Sequence, residues 1–227
     1  MTATLCALAL LPALALAQAT QQPPKEEGEF RAPDLVEIVK LDKSIRLQIR
    51  YATSNNFVGR PVYKEARAFL QRPAAEALVS AHRALKKHGY GLLVFDGYRP
   101  WRVTKLFWEI TPEDRKQFVA DPSKGSRHNR GCAVDLTLYD LRTKREVEMP
   151  SGYDDFTERA HVNYAGGTGE QRRLRDLLRS AMEATGFKVY EPEWWHYDYK
   201  DWRQYPIQDV PFEEIKPTRP AKNRPAL

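Results

Sequence analysis

The sequence predicts an α+β fold, in which helices pack around an antiparallel sheet within a single domain. The length of 227 residues suits one domain, and a hydrophobic content of 42% is enough for a sizeable core. Short apolar runs of strand type occur early in the chain and again near its end. Strands and amphipathic helices are segregated rather than arranged as repeated βαβ units, which favours an antiparallel sheet.

Apolar periodicity and breaker residues define the expected elements. Strands are expected over Leu35–Val39, Ile45–Tyr51, Leu92–Phe95, Cys132–Leu138, Phe187–Tyr190 and Trp194–Tyr199. Helices are expected over Ala74–Lys87, from Pro100 to about Ile110, from Thr111 onward, and over Glu170–Thr185. The segment from Asp96 to Pro100 is predicted to be a turn, with Pro100 at the first position of the helix that follows.

Two of these helices are predicted by an apolar face and a glycine that ends them. The first has Ala74, Ala77, Leu78, Ala81 and Leu85 on one face, and the second has Leu174, Leu177, Leu178, Ala181 and Met182. Gly89 and Gly186 follow them as stop signals. The helix that begins after Ile110 is predicted to use Thr111 as its N-cap and Pro112 as its first residue.

The strand Cys132–Leu138 alternates in character along its length. Cys132, Val134 and Leu136 share one face, whereas Asp135 lies on the other. We therefore expect the Cys132 thiol to point into the core and the Asp135 carboxylate to point away from it.

The two ends of the chain are predicted to flank a domain that covers residues 31–205. Residues 1–17 resemble a secretory signal peptide, because Leu5 to Ala17 is an apolar run too short to span a bilayer comfortably and Ala15-Leu16-Ala17 fits a cleavage site. Residues 18–30 are predicted to be a linker, and residues 206–227 a Pro-rich basic tail. After removal of the signal peptide, Cys132 would be the one cysteine left, so no internal disulfide is expected.

The net charge of +6 permits several partners. Nucleic acid, an anionic surface and no specific partner are all compatible with it. The sequence contains no recognisable nucleic-acid motif, and we predict no nucleic-acid partner. We interpret the chain as a basic secreted protein, periplasmic and close to an anionic cell wall, with no stable membrane insertion after removal of the signal. The sequence does not predict an oligomeric state.

Three side chains are candidates for a metal site. His128 precedes the strand that carries Asp135, and His196 lies in the final predicted strand. Two imidazoles and one carboxylate would leave a fourth position open on zinc, the pattern of a catalytic site. On spacing alone, His128 and Asp135 can also be an ordinary polar pair at a strand edge, although the spacing favours the metal site.

Two further side chains are candidates for the chemistry at such a metal. Glu193 lies three residues before His196 and is a candidate general base, provided that a break or bulge at Pro192 brings both to the same side. Glu191 is the rival, which we interpret as a solvated loop acid. Arg99 is a candidate for stabilising an oxyanion, although a turn arginine often only pairs with a surface acid.

The other histidines have no partner spacing of this kind. We expect His82 and His88, on or at the end of a predicted helix, to face solvent. His161 follows a charged segment and carries no functional prediction.

The sequence resembles the zinc D-alanyl-D-alanine dipeptidases, the VanX-type enzymes of the D-Ala-D-Ala metallopeptidase group. The resemblance runs from about residue 32 to 205. It is carried by segments 50–57, 96–100, 126–138, 152–154 and 193–197, with sequences RYATSNNF, DGYRP, SRHNRGCAVDLTL, GYD and EWWHY. Cys132 departs from the family pattern, where a small residue such as serine is expected.

The resemblance implies a role for each motif residue. It implies one Zn²⁺ held by His128, Asp135 and His196, with Glu193 as base and Arg99 as transition-state stabiliser. It also implies substrate-binding roles. Asp154 would meet the free ammonium of the dipeptide, and Tyr51 and Ser126 would lie near the substrate.

The implied activity is hydrolysis of the D-alanyl-D-alanine dipeptide to D-alanine in the cell envelope, with metal-bound water as nucleophile. The partner is then a small-molecule dipeptide. One alternative is a D,D-carboxypeptidase or endopeptidase acting on longer peptidoglycan peptides, with the same zinc ligands. Another is a non-catalytic cell-wall-binding relic of the fold.

Overall fold

A computed structural model describes residues 22–216. The predicted signal peptide, the first residues of the predicted linker and the end of the predicted tail lie outside the described residues. The strands are β1 Leu35–Glu37, β2 Arg46–Leu47, β3 Phe69–Gln71, β4 Tyr90–Asp96, β5 Ala133–Asp140, β6 Phe187–Tyr190 and β7 Glu193–Tyr199. The helices are α1 Ile38–Leu41, α2 Arg72–Lys86, α3 Trp101–Ile110 and α4 Gly169–Glu183.

The central sheet has five strands in the order β2-β4-β5-β7-β6. All its pairs are antiparallel except β2 with β4, which is parallel, and β1 pairs with β3 in a small antiparallel ribbon. The parallel pair is possible because the chain passes through β3 and α2 between β2 and β4, a connection long enough to reverse direction twice. The predicted α+β fold is confirmed.

The N-terminal elements are shorter than the sequence predicts. The predicted strand Leu35–Val39 ends at Glu37, and Ile38–Leu41 forms a helical turn. The predicted strand Ile45–Tyr51 is a strand only at Arg46–Leu47, and Arg50–Ala52 is a 3₁₀ turn. Short apolar runs do not distinguish a strand from a turn whose side chains enter the core, which is why both strands were predicted too long.

Thr111 does not begin a helix. Its hydroxyl donates a hydrogen bond of 2.6 Å to the carbonyl oxygen of Phe107, so it closes the last turn of α3. The next helical segment is the 3₁₀ helix Glu113–Phe118, which Pro112 precedes. Pro100 likewise precedes the first residue of α3 instead of occupying it.

The main core lies between the sheet and the helices. Leu78 and Leu85 of α2 and Leu178 of α4 belong to the same buried cluster as Val134 and Leu136 of β5. Cys132 belongs to it as well, and burial raises the pKa of its thiol to about 12. The predicted direction of Cys132 is therefore confirmed, and the thiol is chemically inert at neutral pH.

The segment after residue 205 is packed on the domain as far as residue 216. Phe212 is buried, with its ring centroid 4.8 Å from that of Tyr63 and 5.3 Å from that of Phe69. At the other end, the Glu26 carboxylate accepts a hydrogen bond of 2.6 Å from the Ile207 backbone. The predicted boundaries at residues 30 and 205 stay predictions. Across residues 22–216, no helix has the length and apolar character that crossing a membrane requires.

Candidate active site

Two imidazoles and a carboxylate meet at one end of the central sheet. The Nε2 atom of His128 lies 3.3 Å from Oδ1 of Asp135, and Nδ1 of His196 lies 3.0 Å from the same oxygen. The two ring nitrogens are 3.2 Å apart. All three side chains are buried. The structure thus brings together the three residues that the sequence predicts as metal ligands.

Strand register and a glycine turn explain this convergence. Asp135 of β5 and His196 of β7 are directly opposite each other across an antiparallel pair, so their side chains lie on the same face. His128 enters from a 3₁₀ turn that ends at Gly131, which has φ 68°. A Cβ atom on Gly131 would lie 2.4 Å from Cδ2 of Leu35, so only glycine lets the turn pack this closely.

Each of the three ligand candidates also has an outward atom, one that points away from the other two side chains, and protein groups form hydrogen bonds to these outward atoms. Nδ1 of His128 is 2.7 Å from the Gly97 carbonyl oxygen, and Nε2 of His196 is 3.0 Å from Oδ1 of Asp198. Both of these oxygens are acceptors, so the outward nitrogens carry the protons. The Tyr153 hydroxyl donates a hydrogen bond of 2.9 Å to Oδ2 of Asp135. In the neutral imidazoles that bind a metal, the inward nitrogens therefore present lone pairs beside a carboxylate oxygen.

This arrangement fits a divalent metal ion. When both rings are neutral, the two inward nitrogens and the Asp135 oxygen are three acceptor atoms 3.0–3.3 Å apart, and a cation between them removes their mutual repulsion. Tetrahedral zinc ligands at about 2.0–2.2 Å from the ion lie about 3.3–3.6 Å apart, close to the separations found among His128, Asp135 and His196. Partners such as Asp198 and Tyr153 are the groups that commonly orient metal ligands.

Glu193 lies beside the ligand group. Its Oε2 atom is 3.8 Å from Nδ1 of His196. The pairing of β6 with β7 changes register between Val189 and Tyr190, and this irregularity brings Glu193 to the side of His196, as the sequence analysis required. Burial raises the pKa of Glu193 to about 7. Glu191 is exposed and does not line the cavity.

Arg99 is fixed at the edge of the same cavity. Its Nε and Nη2 atoms lie 2.9 and 2.8 Å from Oδ2 of Asp96, and its Nη2 lies 3.7 Å from Oδ2 of Asp135. The other oxygen of Asp96 accepts hydrogen bonds from the Gly97 backbone and the Tyr63 hydroxyl. Asp96 thus both stabilises the turn and orients Arg99.

Asp154 places a second carboxylate in the cavity. Its oxygens accept hydrogen bonds of 3.3 and 3.2 Å from the Tyr51 hydroxyl, and no salt-bridge partner is found for it among residues 22–216. Burial raises the pKa of Asp154 well above its usual range, and the charges of Asp135 and Glu193 add to this effect. Its φ of 57° is a strained backbone conformation of the kind that occurs at functional sites.

Ser126 and Tyr51 both line the cavity, as expected. Ser126 also supports the local turn, because its Oγ accepts a hydrogen bond of 3.2 Å from the backbone of His128. The cavity has a volume of about 200 Å³. The site therefore contains all eight residues that the sequence analysis named.

Several site residues were not predicted. Asp198 could have been found from strand periodicity, since it lies two residues after His196 on the same face. Tyr153 lies next to Asp154 in the sequence. Phe118 and Phe156 also line the cavity, and no local pattern marks them.

The expectation that His82 faces solvent is wrong. Its side chain is fully buried, because it lies four residues after Leu78 on the inner face of α2. Nδ1 of His82 accepts a hydrogen bond of 3.0 Å from the Leu92 backbone, and its Nε2 lies 2.9 Å from Oγ of Ser44. His88 is exposed, as expected.

Comparison with known proteins identifies the family. The sequence profile of the M15 peptidases described as D-Ala-D-Ala dipeptidase matches residues 31–215. A D-alanyl-D-alanine dipeptidase of Enterococcus faecium is 39% identical, over 69% of this chain and 87% of that protein. One of Escherichia coli K12 is 31% identical, over 77% of this chain and 89% of that protein. The chain therefore belongs to the D-Ala-D-Ala dipeptidase family of metallopeptidases, and the resemblance stated above is confirmed.

One solved structure in the comparison is that of LdcB, an LD-carboxypeptidase. It has 20% sequence identity and a TM-score of 0.46, and the match covers 82% of this chain and 80% of that chain. At this distance the likeness carries no functional argument.

Proposed function

We propose that the protein is a zinc-dependent dipeptidase of the cell envelope that hydrolyses D-alanyl-D-alanine to D-alanine. The observation that carries the proposal is the convergence of the lone pairs of His128 and His196 on the Asp135 carboxylate, with Glu193 beside them. Membership of the family supports the choice of substrate. The envelope location depends on the predicted signal peptide.

His128, Asp135 and His196 would hold the zinc ion. A zinc ion at this position supplies Lewis-acid activation of water and of the scissile carbonyl. The task of Glu193 is to accept the proton of the attacking water and to deliver it to the leaving amine. Its carboxyl is suited to both tasks because burial raises its pKa to about 7, near the pH at which it must accept and release a proton.

Arg99 would stabilise the negative charge that develops on the carbonyl oxygen. Its guanidinium is fixed by Asp96 before substrate arrives, so little reorganisation is needed in the transition state. The fixed contact with Asp96 offsets the cost of removing the guanidinium charge of Arg99 from water. The guanidinium also lies against the rings of Tyr51 and Phe107.

Asp154 would bind the free ammonium of the substrate. Burial disfavours the ionised form of Asp154, and a bound ammonium group would favour that form. Tyr51 holds the carboxylate in place, and Ser126 lies on the wall of the same small cavity. These contacts favour a substrate whose amine is close to the scissile bond.

A turnover assay with chelation tests the proposal. Mature protein should cleave D-Ala-D-Ala far faster than L-Ala-L-Ala, lose activity with a chelator and regain it with zinc. Equal cleavage of both isomers, or activity insensitive to chelator, would refute it. Release of D-alanine from a pentapeptide at a comparable rate would favour the D,D-carboxypeptidase alternative instead.

The Glu193→Gln variant tests the mechanism separately. It keeps the size of the side chain but removes its ability to accept a proton, so kcat should fall by about 10²–10⁴-fold. Zinc content, measured by elemental analysis, should stay that of the wild type. Unchanged kcat in a zinc-loaded variant would exclude Glu193 as the base.

A further inference from the structure

Three aromatic side chains form one wall of the active-site cavity. The rings of Phe118 and Phe156 are stacked, with centroids 4.9 Å apart and an interplanar angle of 12°. Phe57 contacts Phe156 edge to face at 5.8 Å. We call Phe57, Phe118 and Phe156 the aromatic wall. All three line the active-site cavity, and they come from three separate segments of the chain.

The aromatic wall lies beside the carboxylate that would bind the ammonium. Phe156 is two residues after Asp154 in the same loop. The ring of Phe57 lies 6.2 Å from that of Tyr51, whose hydroxyl binds Asp154. A substituent on the substrate nitrogen would therefore extend towards Phe57 and Phe156.

A second cavity lies next to the same residues. It has a volume of about 370 Å³ and is open to solvent. Phe57, Asp154 and Phe156 line both cavities, so they separate the two spaces. The second cavity is also lined by Ile110, which with 42% exposure is one of two large hydrophobic side chains exposed among residues 22–216. Beyond the wall there is thus room, and an apolar surface, for a longer acyl group.

We propose that the aromatic wall determines substrate length: Phe156, supported by its stacking on Phe118, excludes any group attached to the substrate nitrogen. This inference rests on the proposed dipeptidase function and adds the residues that limit it to dipeptides. Shortening Phe156 joins the two cavities and admits N-substituted substrates.

The test compares substrates that differ only in bulk at the nitrogen. D-Ala-D-Ala and its N-methyl and N-propyl derivatives all keep a positive charge, so recognition by Asp154 is retained. Wild-type kcat/KM should fall by about 10–200-fold from the parent dipeptide to the N-propyl derivative, a typical range for rejection of added methylene groups. In Phe156→Ala, the ratio of kcat/KM for the parent dipeptide to kcat/KM for the N-propyl derivative should be smaller by about tenfold or more.

Two further variants keep the test decisive if Phe156→Ala folds poorly. Phe156→Leu retains part of the bulk and should give an intermediate ratio. Phe118→Ala removes the stacking partner and should also relax the selectivity. Trp108→Ala is the matched control, since Trp108 is a half-buried aromatic of α3 that contacts Lys116 and lines neither cavity. Its selectivity should equal that of the wild type.

The outcomes distinguish this inference from the proposed function. Absence of D-Ala-D-Ala cleavage by zinc-loaded wild type would overturn the proposed function. If wild type cleaves the dipeptide and the Phe156 and Phe118 variants keep the wild-type ratio, the aromatic wall does not select length. A relaxed ratio in the Trp108→Ala control would equally overturn the inference, because general loosening would then explain the effect.

Discussion

Two regions of the molecule bury histidine rings, and they use them differently. At His82, a backbone N–H points at one ring nitrogen and the Ser44 hydroxyl lies beside the other. At His128 and His196, the Gly97 carbonyl and the Asp198 carboxylate accept hydrogen bonds from the outward nitrogens. The inward nitrogens face each other and a carboxylate oxygen.

Burial alone therefore does not distinguish a functional histidine from a structural one. The direction of the partners does. A ring whose two nitrogens both meet complementary protein groups is satisfied by the fold, as His82 is. The rings of His128 and His196 instead direct their inward nitrogens at one carboxylate oxygen of Asp135, an arrangement that suits a shared cation.

Replacing one histidine from each region with alanine gives the largest expected contrast. His196→Ala should lose zinc and lower turnover on the order of 10³-fold or more, because the change removes one of the three proposed zinc ligands. His82→Ala should keep zinc and turnover but lose about 2–4 kcal/mol of unfolding free energy. The loss arises from a cavity and from the Leu92 N–H left without its acceptor.

Elemental analysis measures the zinc content of each variant, steady-state kinetics measures turnover, and denaturant unfolding measures the unfolding free energy. The comparison fails if folded His82→Ala protein has lost its zinc. It also fails if His196→Ala binds zinc as tightly as the wild type.

Replacing a hydrogen-bond partner of an outward nitrogen should affect zinc binding less than removing the histidine itself. Asp198→Asn keeps an oxygen near Nε2 of His196 but removes the negative charge, so the imidazole becomes a weaker ligand. We expect zinc affinity to fall by about 10–100-fold, with kcat at saturating zinc affected less than affinity. Competition with a chromophoric chelator measures the affinity. Asp201→Asn, a change of the same chemistry at a residue outside the cavity, serves as control. Equal affinities of the two variants would contradict the assignment of Asp198.

Much of the candidate site could be predicted from the sequence, because its residues lie in short motifs with recognisable spacing. Glu193 illustrates this, since the need for a break near Pro192 followed from strand periodicity alone. The closeness of His128 to His196, however, depends on the pairing of β5 with β7, which no local pattern contains. Phe118 and Phe156 are likewise brought together by the tertiary fold.

The errors in the fold have local physical causes. His82 is predicted to face solvent because it lies on a helix interpreted as a surface helix, although its position between Leu78 and Leu85 on α2 points it inward. The packing of residues 206–216 could not be predicted from composition either, because the prolines of this segment do not indicate that Phe212 contacts Tyr63 and Phe69. In both places the burial of one residue depends on tertiary contacts.

Protonation of His82 is expected to change stability by less than the substitutions described above change zinc binding or turnover. The pKa of His82 is lowered to about 4, mainly by burial. The nearby charge of Lys86 also lowers this pKa, and its effect is larger than the opposite effect of Asp42. The unfolded chain protonates this ring at about pH 6.5, whereas the folded protein resists protonation until about pH 4. Between these values the unfolded state binds more protons, so stability falls as the pH is lowered.

Unfolding free energies measured at about pH 7 and about pH 5 should therefore differ, and the His82→Asn variant should show a difference smaller by about 1–2 kcal/mol. Asparagine retains an acceptor for the Leu92 N–H but does not titrate in this range, so the variant isolates the imidazole. His88→Asn, at an exposed position near the end of the same helix, should retain the wild-type pH dependence. If His82→Asn and wild type lose the same stability on acidification, His82 is protonated in the folded state as readily as in the unfolded one. Its partners would then not hold it neutral, and the contrast with the ligand histidines would have to rest on metal binding alone.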